Sequence, residues 1–227
     1  MQQHRAHDSA PLRCLWQSIW CAIKRLATGI MHGNNLPLSL VAAAIDACAH
    51  ESERLNSERI AECFGSYGID VVSNEPGLRR SNLYSNENGI HTCRTYAVVR
   101  FVDEPDAIID AEHAKILAGQ SIGAIFKASG WKIFKETLHI GTARLDDMSH
   151  PVATLMHLQS SAEVAMHVYH LMLKKHDRAI DYATLIEMHH PDYLKHADLL
   201  ELYPVDAQAS LEPRQVEELK LLGLDAA

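Results

Sequence analysis

The sequence predicts one α+β domain: a single antiparallel sheet from a duplicated hairpin-and-helix unit, with helices packed on it. Two strand–turn–strand segments, Leu78–Val102 and Ala165–His189, are each followed by a proline and a helical stretch. Tyr96-Ala97 and Pro105-Asp106 recur as Tyr182-Ala183 and Pro191-Asp192, both 86 residues on (182 − 96 and 191 − 105). The composition suits a packed core, with 47% hydrophobic and 22% charged among 227 residues.

The first hairpin is set by its turn. Leu78–Ser85 and Ile90–Val102 flank Asn86-Glu87-Asn88-Gly89, and Asn-Gly favours the tight turn that joins antiparallel strands. Alternation in the return strand puts Cys93, Thr95, Ala97, Val99 and Phe101 on one face. Arg94, Tyr96, Val98 and Arg100 fall on the other. Pro105 opens a helix that Gly119 to Gly123 interrupts. A short helix, Ala124–Ser129, and a strand, Trp131–Ile140, follow, while residues 142–162 carry no clear period. The second hairpin, Ala165–Lys174 and Ala179–His189, turns at His176-Asp177-Arg178, and a helical stretch runs from Pro191 to about Tyr203. Upstream, residues 37–64 read as helical, with Ser57 as a cap of the second run, and Ile69–Val72 as a short strand. Three regions result: an amphipathic extension over 1–35, the α+β domain over 36–205 and a helical tail over 206–227.

Charge and cysteines narrow the function. With 21 Lys+Arg against 29 Asp+Glu the net charge is −8, which argues against a general nucleic-acid binder. Residues 1–35 run the other way, with Arg5, Arg13, Lys24 and Arg25 against Asp8. Their apolar stripe contains Trp16 and Trp20, so residues 12–31 form either a helix packed on the domain or one lying on a membrane surface. Cys14, Cys21, Cys48, Cys63 and Cys93 are odd in number and widely spaced, which suits reduced thiols in a cytoplasm.

Four groups are candidates for chemistry. His167 and His170 lie three apart in a strand, hence on opposite faces, and no metal site is expected. The run Gly119-Gln120-Ser121-Ile122-Gly123 suits a close turn or an anion cradle. Glu187 sits in an apolar strand beside Ala183 and Leu185, where a charge is costly unless paired, protonated or put to use. Arg79, Arg80, Arg94 and Arg100 lie on the first hairpin, and a guanidinium fork suits carboxylate recognition.

Several of these segments resemble the chorismate lyase family, whose fold also serves as the ligand-binding domain of some repressors. The matching stretches are Leu78-Arg79-Arg80-Ser81-Asn82-Leu83, Asn88-Gly89, Arg94-Thr95, Ser121-Ile122-Gly123-Ala124-Ile125-Phe126, Ile140-Gly141 and Glu187-Met188-His189-His190-Pro191. The resemblance covers about residues 69–195. The chain departs from the pattern where His167 stands near an expected arginine, where 142–162 is longer, and where a histidine pair precedes Pro191. The resemblance implies conversion of chorismate to 4-hydroxybenzoate and pyruvate, without a cofactor, as in ubiquinone biosynthesis. It implies Glu187 as the catalytic residue. Arg79, Arg80, Arg94 and Gly123 would be the substrate-binding set, with either Arg79 or Arg80 holding the ring carboxylate. The same fold would equally suit a non-catalytic aromatic-acid or partner-binding protein. Either way the expected partner is a small aromatic or pre-aromatic carboxylic acid rather than nucleic acid.

Overall fold

The computed structural model describes residues 54–203. The extension over 1–35, with its stripe at 12–31, the first helical run after residue 37, and the tail after 205 lie outside the described residues. No described helix is long and apolar enough to cross a membrane.

Six strands form one antiparallel sheet. Helix α1 (Asn56–Phe64) leads into β1 (Gly68–Glu75), β2 (Leu78–Glu87) and β3 (Ile90–Phe101). A 3-10 turn (Ala107–Ile109) and α2 (Asp110–Leu117) follow. Helix α3 (Ile122–Ala128) then leads into β4 (Lys132–Leu145), β5 (Ala162–Lys175) and β6 (Arg178–His189), with α4 (Pro151–Leu155) between β4 and β5 and α5 (His196–Leu202) at the end. The order across the sheet is β1-β2-β3-β6-β5-β4. Each half is therefore a helix, a three-stranded meander and a helix. The two meanders join along β3 and β6, where Val99 pairs with Leu185, 86 residues away (185 − 99).

Local chemistry explains most boundaries. Asn88 and Gly89 both take positive φ, 57° and 85°, as a two-residue hairpin turn requires. Asp106 caps the 3-10 turn by accepting from the Ile108 amide, so Pro105 precedes the cap. Ser57 is not the cap of α1. Leu55 holds that place, and Glu58 Oε2 accepts from its amide at 3.2 Å. The strand expected at Ile69–Val72 is longer than its apolar core suggests. The stretch over 142–162 divides between the end of β4, helix α4 and the start of β5.

Helices cover both faces of the sheet. On one face α1, α2, α3 and α5 bury Ile60, Ile116, Phe126 and Leu199 against Ala97, Val99, Leu171 and Leu185. On the other, Val152 and Ala153 of α4, with Met156 just beyond it, pack on Tyr96, Val98, Val168, Ile186 and Met188. Central β3 is consequently buried without alternation from Cys93 to Val99, whereas edge strand β1 is largely exposed. Cys93 also departs from the expected alternation. Leu83 pairs with Thr95 but Tyr84 with Cys93, so Arg94 is an extra, bulged residue, and Cys93 joins the Tyr96 face.

Candidate functional site

The register lays out rows of side chains on the four-helix face. Ser81, Ala97, Glu187 and His167 form one row across β2, β3, β6 and β5. Arg79, Val99, Leu185 and Tyr169 form the next. With strands about 4.8 Å apart and alternate residues about 6.8 Å apart, the Arg79 and Glu187 backbones stand about 12 Å from each other. A cavity of about 70 Å³ lies over these rows, roofed by Leu55 and Asn56 at the start of α1 and by Ser121 and Gly123 at the start of α3.

Arg79 is fully buried. Its Nε donates to Ser81 Oγ at 2.8 Å, and its Nη1 to the carbonyls of Ile116 and Gln120 at 2.7 and 2.9 Å. Nη2 reaches the Gly119 carbonyl only at 3.4 Å. A guanidinium has five N–H groups, so one on Nη2 is left over, and no described carboxylate pairs with Arg79. Burial lowers its basicity, and the nearby Tyr67 and Tyr182 act the other way. The glycine loop thus presents carbonyls to a cation and does not cradle an anion with its amides. Beside Arg79, the Tyr67 hydroxyl is buried, with Ser121 as its polar neighbour. Burial raises its pKa, with Ser121 and Arg79 drawing it down.

Glu187 is 5% exposed. Asn56 Nδ2 approaches its Oε1 at a long 3.4 Å, and the Tyr169 hydroxyl donates to the carboxylate. Asn56 is fixed more firmly by others: it donates to Thr95 Oγ1 at 3.0 Å and accepts from the Tyr193 hydroxyl at 2.6 Å. Tyr169 lies on the cavity floor, and its pKa is held well above the ordinary value by burial first and then by the Glu187 carboxylate. It stays a proton donor. Two neutral imidazoles flank the carboxylate. His167 pairs across strands with Glu187 and bonds Thr137 Oγ1 through Nε2 at 3.0 Å. His189 bonds Thr95 Oγ1 through Nδ1 at 3.0 Å. The remaining ring nitrogen of each is buried without a partner.

Burial pushes the pKa of His167 well down and that of His189 to about 4. These shifts fix a sign. An unfolded histidine titrates near 6.5, so between about pH 6.5 and 4 the unfolded chain takes up protons that the folded chain refuses. Stability is flat above that window and falls as pH drops through it. At pH 5 His189 alone should cost about 2 kcal/mol. Urea unfolding at pH 7 and pH 5 checks this, and His189→Gln should remove its share of the drop.

The structure brings Arg79, Gly123 and Glu187 to one cavity. It does not bring Arg80 or Arg94 there. Arg80 is one residue out of phase, so it points to the opposite face and pairs with Glu75 at 2.8 Å. The bulge turns Arg94 toward α1, where it stacks 3.8 Å from the Phe64 ring centre and binds Ser85 and Glu87. A Cβ on Gly123 would stand 2.8 Å from Leu55 Cδ2, so the absent side chain gives α1 room to close over the cavity. Sequence reasoning missed Tyr67, Asn56, Lys135 and Tyr169. Tyr169 had a signal, as it shares the strand face of His167; Tyr67 and Asn56 had none.

No family profile matches the sequence, and no curated protein matches it. Among solved structures the chain is similar to the crystal structure of the PhnF C-terminal domain. The two share 8% identity at a TM-score of 0.37, over 61% of this chain and 77% of that one. A likeness at that level bears on neither family nor function.

Proposed function

We propose that this cavity binds a small aromatic or pre-aromatic carboxylic acid, and that the protein acts on it as a chorismate pyruvate-lyase. One observation supports the reading above others: a buried arginine and a buried glutamate without ion-pair partners among the described residues line a single cavity. Both charges are costly where they sit unless a ligand completes them. Nη2 of Arg79 offers its spare N–H to a ring carboxylate, and the Tyr67 hydroxyl adds a donor beside it. Glu187 and the Tyr169 hydroxyl then face the oxygen substituents at the other end of the ring.

In that reaction the carbon–oxygen bond to the enolpyruvyl group breaks, the ring loses the hydrogen on the neighbouring carbon, and the diene becomes aromatic. Enolpyruvate gains a proton to become pyruvate. Aromatisation drives the step, so the protein has to orient the acid and stabilise charge at the breaking ether. Glu187 is the group placed to exchange a proton there.

A second reading, binding of a simpler aromatic acid without turnover, draws on the cavity's size. A benzene-binding cavity is about 150 Å³, so 70 Å³ must widen even for one ring and further for an enolpyruvyl arm. Incubation with chorismate separates the two. Turnover predicts pyruvate and 4-hydroxybenzoate in equal amounts. Binding alone predicts calorimetric uptake of 4-hydroxybenzoate with no pyruvate. Neither signal would refute the site.

A further inference from the structure

The cavity holds a second cation for which the Arg79–Glu187 reading has no task. Lys135 lies on β4, opposite Leu171 of β5, and lines the same cavity from the wall facing away from Arg79. Its ammonium stands 4.8 Å from the Tyr169 ring centre and 5.4 Å from that of Tyr203. Its one hydrogen bond is a long one, 3.4 Å, to the Tyr203 hydroxyl. That hydroxyl already takes a 2.8 Å bond from Arg59, so Lys135 is its weaker partner. No described carboxylate lies within ion-pair distance of Lys135. Aromatic faces hold an ammonium in place but satisfy none of its N–H donors.

Position sets what this cation reads. Arg79 and Lys135 lie four strands apart and one row out of step, so their backbones are about 20 Å apart. The guanidinium is held on the carbonyls of the 116–120 segment and the ammonium over the Tyr169 ring, so a ring with an anionic group at each end bridges them once the cavity widens. By backbone position Glu187 lies across the Leu185–Tyr169 row from Lys135.

We propose that Lys135 is a specificity-determining residue, a second anion subsite that makes the cavity select dianionic over monoanionic ring acids. The inference rests on the reading that the cavity binds a ring carboxylate at Arg79. Arg79 takes the first carboxylate of every ligand, and Lys135 takes the second where there is one. A ligand anion displaces the long Tyr203 contact, which costs little because Arg59 keeps the Tyr203 hydroxyl bonded.

Calorimetry of the full chain with benzoate and with terephthalate, two probes that differ by one carboxylate, tests it. The wild type should prefer terephthalate by about tenfold, the usual worth of one charge-assisted hydrogen bond at a part-exposed site. Lys135→Met should erase that preference and leave benzoate affinity within about twofold, so benzoate binding also reports that the variant is folded. Lys135→Arg should keep the preference. If the wild type binds benzoate but terephthalate no more tightly, or if Lys135→Met retains the preference, the subsite is refuted while the cavity reading stands. If neither acid binds the wild type, the cavity reading fails and the subsite with it.

Discussion

Arg79→Met should unfold at markedly lower urea concentration than the wild type and should lose about two orders of magnitude in affinity for 4-hydroxybenzoate. The stability term arises inside the protein. Removing the guanidinium takes a donor from the Gly119 and Gln120 carbonyls and from Ser81, while the Ile116 carbonyl in the last turn of α2 keeps the Gly119 amide. Buried acceptors left without donors cost about 1–3 kcal/mol each, and partial relaxation brings the sum to about 3 kcal/mol. The affinity term comes from the lost charge-assisted bond to the ligand. Arg79→Lys separates the two. A single ammonium cannot reach four acceptors, yet it keeps a positive charge at the cavity wall. It should recover part of the affinity and little of the stability. If Arg79→Met, measured where it is folded, binds within about threefold of the wild type, Arg79 is only a brace for the loop after α2.

Glu187→Gln should do the opposite to stability. A carboxylate that is 5% exposed, held by a long bond from Asn56 and by the Tyr169 hydroxyl with no described cation in ion-pair range, is kept at a cost. The amide has the same shape and no charge, so the variant should be more stable, by about 1 kcal/mol. Turnover of chorismate should fall by about a thousandfold, in the range that positioned acid–base groups supply, with KM changed only a fewfold. Urea unfolding and a coupled pyruvate assay read the two halves independently. A variant that is less stable and still turns over would mean that Glu187 braces the fold through Asn56 and takes no part in chemistry. The combination of higher stability and lost activity would mark a residue kept for function at the expense of the fold.

The strand positions could be read from the sequence because turn chemistry is local. Asn88-Gly89 fixes the first hairpin, and Pro191 marks the end of β6. Glu187 could be read because a carboxylate in an apolar strand conflicts with its surroundings. The choice between Arg79 and Arg80 could not. Alternation gives the relative phase of neighbouring residues, but which face carries the cavity depends on where α1 and α3 pack. The bulge at Arg94 shows the same limit, since one extra residue reverses phase along the rest of the strand and leaves no signature in composition. Lys135 was hidden for another reason. A lysine among Lys132, Phe134 and Glu136 reads as a solvated strand, and only the four-strand span to Arg79 gives it a counterpart. Tyr67 and Asn56 reach the cavity from a loop and a helix start, where sequence carries no period at all.

The seam between β3 and β6 has a consequence for how the molecule assembles. The β1-β2-β3 segment and the β5-β6 hairpin close through short turns, and contacts of that kind form in microseconds. The seam joins residues such as Ala97 and Glu187, whose contact must close a loop of some ninety residues, and contacts that distant in sequence are the slow ones. Arg79 hangs from one meander and Glu187 from the other. The cavity therefore does not exist in either half and forms only when the seam closes. A ligand that spans it binds only the finished chain, so it acts as a clasp across the seam and slows the separation of the two halves.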